Sequence, residues 1–397
     1  MFSLYKKIML SALMAGSVWS VSSSARGEDF TLSKPFSNAA VNEKTAAIKP
    51  KIQIALLLDT SNSMDGLINQ AKSQLWKVVN ELATAKQNGR APEIEVALYQ
   101  YGTPSLGADN GFIRQVLPFS TDLDKVSEEL FALKTNGGDE FCGWAVRTAV
   151  SQLNWSTRAN DLKAIYVCGN EPFTQGNVEF HTPCKDALAK GITVNTIFCG
   201  PEAEGIAGKW QEGAQAGGGT FFNINQDRQV AVPKAPQDDE LRKLNADLNG
   251  TYIGYGRGAG EGRARQEAQD KAAASTAPAV AAERAQAKAS GQYRNSSWDA
   301  VDAVKDGKLD LKEAKKEDLP QEMQELSVEQ RKEYVEKKQA ERDGIQQKIK
   351  TLSVEREKFV QEELKKTAKP GDKSLDEALI KSVKKQAESN GFEFQGK

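Results

Sequence analysis

The sequence predicts an α/β fold: a doubly wound, mostly parallel sheet followed by a mainly α-helical C-terminal region. Between residues 52 and 224, short apolar segments alternate with stretches of helical pattern. The apolar segments are hydrophobic at nearly every position, which is typical of strands that helices cover on both faces. After about residue 232, strand-like segments almost disappear, and Ala, Lys, Glu, Gln and Arg dominate the composition. We therefore place a domain boundary near residue 232.

The sheet domain, residues 50–232, is predicted from the order of its segments. The strand segments, in chain order, are IQIALLLD, EIEVALYQYG, IRQVLPF, AIYVCG, ITVNTIFCG and GTFFNI. Helices are expected over residues 63–86, 122–133, 141–154, 181–190 and 203–216. Alternating strands and helices favour parallel pairing of the strands, with ligands bound beyond their carboxyl ends.

The N-terminal 25 residues have the pattern of a cleaved signal peptide. Lys6 and Lys7 precede an apolar run of about fifteen residues, and small residues follow up to Ala25. An uncleaved anchor is the alternative, but the run is short for a bilayer span. We expect a periplasmic or secreted protein without stable membrane insertion, in which residues 26–49 form a polar linker.

The C-terminal region, residues 233–397, is predicted to be helical and charged. Residues 262–290 have a helical composition that Pro278 interrupts, and residues 321–366 contain an internal echo, LSVEQRKEYVEKK against LSVEREKFVQEEL. Two interpretations stay open. The segment is either an antiparallel helical hairpin or coiled coil that presents a partner surface, or one charged helix packed lightly on the domain.

Composition excludes several classes of function. The chain has 53 Lys+Arg and 54 Asp+Glu, a net charge of -1, so no global positive field favours nucleic acid as a partner. Its one histidine, His181, excludes metal clusters that need two histidines. A Ser-His-Asp triad would depend on this residue, and no GxSxG motif precedes it. We therefore expect a protein that is not an enzyme.

The segment ALLLDTSNSMDG, residues 55–66, places side-chain oxygens at alternate positions directly after the first strand. Asp59, Ser61 and Ser63 fall where open α/β sheets bind ligands, and their spacing over a tight turn directs the three oxygens the same way. Hard oxygen ligands suit Mg²⁺, Mn²⁺ or Ca²⁺. Ordinary capping of the following helix by Asp and Ser is the alternative.

The strand, the Asp59-x-Ser61-x-Ser63 motif and the order of elements that follow resemble a von Willebrand factor type A domain with its metal-ion-dependent adhesion site. The resemblance covers about residues 50–228. It implies that Asp59 and the two serines hold a divalent cation. It also implies that an acidic residue of a partner protein completes the coordination shell.

Two further loops contribute ligands in that family, a threonine after the third strand and an aspartate after the fourth, and this sequence departs from both. Asp139, in TNGGDEFCGWA, falls at the first position, with Thr135 as the alternative. Gly169 or Asn170, in YVCGNEPF, falls at the second. Asp139 would restore the missing carboxylate, so we predict a degenerate site for Mg²⁺, or for Mn²⁺ or Ca²⁺. The predicted ligands are Asp59, Ser61, Ser63, Asp139 and Asn170.

The four cysteines, Cys142, Cys168, Cys184 and Cys199, are candidates for disulfides because exported proteins meet oxidising compartments. Four cysteines allow three pairings. Cys168 would pair with Cys199 if their strands adjoin, which leaves Cys142 with Cys184. We expect at least one disulfide to brace the loops around the cation, and buried free thiols are the alternative.

The function expected from these residues is cation-assisted binding of a protein partner in the envelope or outside the cell. One alternative is a metal-free scaffold whose helical C-terminal region is the partner surface. A second is a metal-assisted hydrolase with Glu140 or Glu171 as its general base.

Overall fold

The computed structural model describes residues 49–227, 232–367 and 374–394, and the expected signal peptide lies outside them. The strands are β1 Lys51–Asp59, β2 Ala85–Gln87, β3 Glu93–Tyr101, β4 Ile113–Ser120, β5 Leu162–Gly169, β6 Thr193–Cys199, β7 Gly218–Ile224 and β8 Phe392–Phe394. The helices are α1 Asp65–Leu82, α2 Leu123–Ala132, α3 Cys142–Gln152, α4 His181–Ala189, α5 Glu202–Ala207, α6 Trp210–Ala216, α7 Asp238–Asn249, α8 Ala259–Thr276, α9 Pro278–Lys288, α10 Ala300–Lys305, α11 Gln321–Gln324, α12 Val328–Thr367 and α13 Leu375–Ser389.

Six strands form the central sheet in the order β4-β3-β1-β5-β6-β7. β1 pairs in parallel with β3 and β5, and β4 is an antiparallel edge strand. β1 is central because its apolar side chains fill both faces: Ala55 and Leu57 point into one core, and Ile54 and Leu58 into the other. The predicted α/β class, a mostly parallel sheet followed by a helical region, is confirmed.

The carboxyl ends of the parallel strands meet at one edge of the sheet. α3, α4 and α6 cover one face, where Phe173 and Trp210 are fully buried. α1 and α13 cover the other face, and α9 packs outside α1. Because both faces are covered, the loops at the edge are the part of the sheet domain open to a ligand.

The helical region supplies part of the core of the sheet domain. Leu379 and Val383 of α13 are buried in the same core as β1 and α1. The Ser382 and Tyr166 hydroxyls are 2.6 Å apart, and Gln386 donates to the Asn195 side chain at 2.6 Å. β8, which follows α13, pairs with β2. Removing residues 233–397 would therefore expose apolar surface of the sheet domain, so truncation cannot separate the roles of the two regions.

Residues 328–367 form one 40-residue helix, α12, instead of a hairpin. Its buried side chains Val335, Arg342, Ile349 and Arg356 recur every seven residues, and the helix contacts α7, α9 and α10. This seven-residue spacing, which resembles that of a coiled coil, faces partners within the same chain. The segment is therefore a single helix, as the second interpretation expects. It is not lightly packed, however, because Arg342 and Arg356 are buried and ion-paired.

Buried ion pairs connect the helices of the C-terminal region to one another and to α2. Arg284 of α9 lies 2.7 Å from Asp124 of α2 and 2.5 Å from Asp270 of α8. Arg342 of α12 lies 2.8 Å from Asp299. Breaking a buried pair leaves a charge without its partner, so these contacts fix how the helices pack.

Asp270 is expected to make the stability of the fold depend on pH in the acid range. Burial alone would raise the pKa of Asp270, but Lys288 and Arg284 outweigh it and lower the pKa from 3.8 to about 2. The carboxylate therefore stabilises the fold above about pH 4, and this contribution, about 2 kcal/mol, is lost as the pH falls towards 2. Urea unfolding at about pH 5 and about pH 2 should show a smaller loss in Asp270→Asn than in the native chain. An equal loss in both proteins would contradict this assignment.

Candidate metal centre

Asp59, the last residue of β1, places a buried carboxylate below the edge of the sheet. Its Oδ1 accepts the backbone N–H of Ser61 at 2.7 Å, whereas its Oδ2 has no hydrogen-bond partner among the described residues. Two glycines at neighbouring strand ends make room for it. A Cβ atom would lie 2.7 Å from Oδ1 at Gly102 and 3.0 Å from Oδ2 at Gly169. The site therefore contains a buried carboxylate oxygen that accepts no hydrogen bond from the described residues.

The two serine hydroxyls lie beside one another at the start of the turn. Their Oγ atoms are 3.3 Å apart, with Ser61 buried and Ser63 exposed. Asn170, directly after β5, donates its side-chain N–H to the Ser63 Oγ at 3.2 Å. Asp59, Ser61, Ser63 and Asn170 thus lie in one cluster, and the hydroxyls are close enough to share an ion.

Of the two adjacent carboxylates before α3, Glu140 is the buried one, and Asp139 is exposed. A Cβ atom at Gly102 would lie 2.9 Å from the Glu140 Cγ, so Glu140 and Asp59 flank the same glycine. From the sequence, Glu140 is a candidate general base and is not among the predicted ligands. The sequence feature that could have indicated Glu140 as a ligand is its place next to Asp139 in the loop before α3. The structure adds Glu140 to the cluster, and ligation by Asp139 stays a prediction.

Thr135, the alternative at this position, is directed elsewhere. Its hydroxyl donates to the carboxylate of Asp65 in the first turn of α1. The backbone next to it is held by a hydrogen bond from the Asn136 N–H to the Thr60 carbonyl, 2.8 Å long. This loop therefore brings its backbone and Glu140, not a threonine hydroxyl, to the cluster.

The cluster concentrates negative charge. Burial, together with the nearby Glu171 carboxylate, raises the pKa of Asp59 to about 7, although hydrogen bonds from Ser61 and from the backbone of Asn170 lower it in part. Burial and the carboxylates of Asp59, Glu171 and Asp139 raise the pKa of Glu140 to about 8. Both shifts arise because burial and neighbouring carboxylates disfavour the charged forms.

These residues fit a hard divalent cation. Two hydroxyls and two carboxylates converge, and the buried Asp59 Oδ2 has no hydrogen-bond partner in the described part of the chain. The described residues contain no group of three or more His, Cys, Asp or Glu side chains placed to hold a metal. The serine hydroxyls are therefore essential to this candidate site. Asp59, Ser61, Ser63 and Glu140 would hold the ion, with Asn170 beside them.

The expected disulfide is absent, and this prediction is corrected: all four cysteines are buried free thiols. Cys168 and Cys199 do lie on adjacent strands, but Cys168 is opposite Ile197, so the two cysteines are diagonal neighbours. At strand spacings of about 4.8 Å and about 3.3 Å per residue, their Cα atoms are about 8 Å apart, which exceeds the usual limit of about 6.8 Å. Cys142 and Cys184 are in the core on the opposite face, and burial raises the pKa of the Cys184 thiol to about 12.

Gly169, the last residue of β5, lies against Asp59, and its neighbours explain why a side chain does not fit there. A Cβ atom there would lie 2.6 Å from the Tyr101 hydroxyl, which donates to the Cys168 carbonyl at 2.8 Å. We expect Gly169→Ala to lower the free energy of unfolding by about 1–3 kcal/mol, measured in urea. Gly260→Ala, in open space on α8, is the control and should be neutral or stabilising. Equal effects would contradict the close packing around Asp59.

Comparisons with known proteins agree with this fold. The model of the von Willebrand factor type A domain family matches residues 53–216. No curated protein matches the chain. Among the described residues, no helix combines the length and apolarity needed to cross a bilayer.

Several solved structures are similar to part of the chain. An aerotolerance-related membrane protein from Bacteroides fragilis NCTC 9343 is 17% identical, with 44% of this chain and 93% of that chain covered and a TM-score of 0.30. The pilus adhesin SpaC from Lactobacillus rhamnosus GG is 13% identical, with 46% of this chain and 28% of that chain covered and a TM-score of 0.35. Proximal thread matrix protein 1 from the mussel byssus, solved with a zinc-occupied metal-ion-dependent adhesion site, is 10% identical. The match covers 45% of this chain and 43% of that chain, with a TM-score of 0.33.

The match and the observed fold agree over the sheet domain. The six-stranded sheet has its helices on both faces, and the Asp59-x-Ser61-x-Ser63 turn lies at its carboxyl edge within the matched residues. Domains of this type are protein-interaction modules. Residues 53–216 are a von Willebrand factor type A domain, carried in a longer chain that continues into a helical region.

Proposed function

We propose that the chain is an exported, non-enzymatic binding protein that engages a protein partner through the loops at the carboxyl edge of its sheet, assisted by Mg²⁺, Mn²⁺ or Ca²⁺. One observation supports this most directly: the oxygens of Asp59, Ser61, Ser63 and Glu140 converge at that edge. The export signal, residues 1–25, lies outside the described residues, so localisation is part of the proposal.

The residues of the site act as a pre-arranged oxygen cluster. A bound cation would supply positive charge against the Asp59 and Glu140 carboxylates. Ser61 fixes the Asp59 carboxylate through its backbone N–H and brings its own hydroxyl to within 3.3 Å of Ser63. Ser63 is exposed, so the cluster opens to solvent on that side. A partner would therefore reach it from the direction of Ser63.

The hydrolase alternative would use Glu140 or Glu171 as its general base beside the ion. Turnover of ester or phosphate substrates by the native chain, lost in Glu140→Gln, would favour this alternative over binding.

The scaffold alternative, in which the helical region is the partner surface, is tested on the intact chain because α13 completes the core. We expect the full-length protein, immobilised, to retain an envelope protein in Mg²⁺ and to release it in EDTA. The double variant Ser61→Ala with Ser63→Ala should retain nothing above background. Asp186→Asn, an exposed aspartate of α4, should behave as the native chain does. If the serine variant retains as much of the partner as the native chain does, and EDTA does not release it, the helical region is favoured as the partner surface.

A further inference from the structure

Three buried carboxylates share two cations where the helical region meets α1. At this junction α9 and α13 pack against α1, and α12 packs against α7 and α9. The carboxylates belong to Asp238 of α7, Glu283 of α9 and Asp376 of α13, and each residue is at most 5% exposed. The cations are Lys77 of α1 and Arg356 of α12. We call these five residues the junction cluster.

Each cation of the junction cluster is held by a carboxylate other than that of Glu283. Arg356 Nε donates to Asp238 Oδ1 at 2.6 Å, and Lys77 Nζ lies 2.6 Å from Asp376 Oδ2. Glu283 Oε1 lies 3.9 Å from Arg356 Nη1, and its Oε2 has no hydrogen-bond partner in the described part of the chain. The excess negative charge of the cluster therefore falls on Glu283.

The charges that surround the cluster do not compensate Glu283. Glu357 of α12 adds another carboxylate that acts on it. Further along α1, Glu81 is paired with Lys384 of α13. The buried cations of α9 itself are paired with Asp270 of α8. A buried carboxylate in excess of its cations is stabilised when it binds a proton.

The contact between α1 and α9 also lacks a hydrogen-bond donor. The Asn80 side chain donates to the Glu283 carbonyl at 2.9 Å, whereas the buried Asn80 Oδ1 has no partner among the described residues. Asn80 Oδ1 and Glu283 Oε2 are both acceptors, so neither can satisfy the other while the carboxylate is ionised. A proton on Glu283 supplies a donor to this contact.

We propose that Glu283 is a proton-dependent clamp between the helical region and the sheet domain. While its carboxyl is protonated, the two cations of the junction cluster stay with the other two carboxylates, and α12 and α13 are held in place. Once the proton is lost, Glu283 competes for the same cations and the packing of these helices loosens. The effect reaches the sheet because Leu379 and Val383 of α13 lie in its core.

The clamp is expected to respond to pH near neutrality. Burial and the carboxylates of Asp376 and Glu357 outweigh Arg356 and Lys77, and they raise the pKa of Glu283 from 4.5 to about 7. A group whose pKa is raised in the closed chain stabilises it fully below the pKa of the opened chain, about 4.5. This stabilisation is lost as the pH rises through 7. Between pH 6 and pH 8, the opening constant should therefore rise about tenfold.

Hydrogen exchange of the full chain, followed by mass spectrometry and corrected for the intrinsic rate at each pH, measures this opening. In the native chain, peptides from α9, α12 and α13 should show the tenfold rise between pH 6 and pH 8. In Glu283→Gln, the side chain is an uncharged isostere of the protonated carboxyl. Its opening constant should change by less than about twofold.

The matched control is Glu355→Gln, which removes an exposed carboxylate from α12 and should behave as the native chain does. Asp59, Glu140 and Lys288 also have pKa values near this range. All three are present in every variant, so their effects cancel when a variant is compared with the native chain.

A second variant tests the competition for the cations. Asp376→Asn leaves Lys77 to Glu283 and removes a neighbouring carboxylate, so the midpoint of the rise should move to lower pH by about one unit or more. The proposal is overturned if the native chain shows no rise, if Glu283→Gln shows an equal rise, or if Asp376→Asn leaves the midpoint unchanged. Circular dichroism at pH 6 checks that the variants are folded.

Discussion

Replacing Arg284 with methionine is expected to lower the free energy of unfolding by about 3–5 kcal/mol. Its guanidinium is almost fully buried, lies 2.7 Å from Asp124 and 2.5 Å from Asp270, and stacks on Trp76 at 4.7 Å. The substitution leaves Asp124 without its arginine and Asp270 with Lys288 and the Asn249 side chain. Urea denaturation measures the change.

The control for Arg284 is an exposed arginine with a carboxylate partner. Arg242→Met breaks a surface pair with Asp239 and should cost less than about 1 kcal/mol. Adding Asp124→Leu to Arg284→Met should recover part of the loss, because the buried carboxylate left without its arginine is then gone, while Asp270 keeps its contact with Lys288. A loss below about 1 kcal/mol for Arg284→Met alone would show that the helices do not depend on this pair.

Replacing Asp59 with asparagine is expected to weaken Mn²⁺ binding by about 100-fold or more, because the buried carboxylate supplies charge that an amide cannot. Asparagine keeps the side-chain oxygen that accepts the Ser61 N–H, so the turn is preserved. Calorimetric titration of the full chain measures the affinity, with Asp186→Asn as the control.

The same titration distinguishes the two adjacent carboxylates before α3. Glu140→Gln should weaken Mn²⁺ binding by about tenfold, because Glu140 is buried beside Asp59. Asp139→Asn should have an effect of less than about threefold, because Asp139 is exposed and acts at longer range. The opposite order of effects would support the ligand set that the sequence predicts, and would show that the loop rearranges around the ion.

Much of the sheet domain could be predicted because a strand that is buried on both faces is apolar at nearly every position. IQIALLLD has no polar alternation, and the structure places it at the centre of the sheet between β3 and β5. The grouping of Asp59, Ser61 and Ser63 follows from the same logic, since alternate residues in a tight turn after a strand project together.

The rest of the site depends on contacts between segments far apart in sequence. Whether Asp139 or Glu140 turns inward is decided by hydrogen bonds of that loop to Thr60 and Gln175, which no local pattern encodes. Cysteines near one edge suggested a disulfide, but the strand register makes Cys168 and Cys199 diagonal neighbours.

The helical region was predicted in composition but not in packing. Arg342 and Arg356 looked like part of a solvated, charged helix, yet both are buried because acidic partners from α7, α10 and the segment before α10 neutralise them. The pairing of β2 with β8 joins segments about three hundred residues apart, and a three-residue strand is too short to show a pattern.

The central claim is that the hydroxyls of Ser61 and Ser63 and the carboxylate of Asp59 hold one hard cation. Crystals of the full chain grown with Mn²⁺ test it most directly through anomalous diffraction. We expect an anomalous peak within bonding distance of both serine Oγ atoms, with Asp59 in its coordination sphere. An anomalous map without a peak there, in which Ser61 and Ser63 still contact only each other and Asn170, would contradict it.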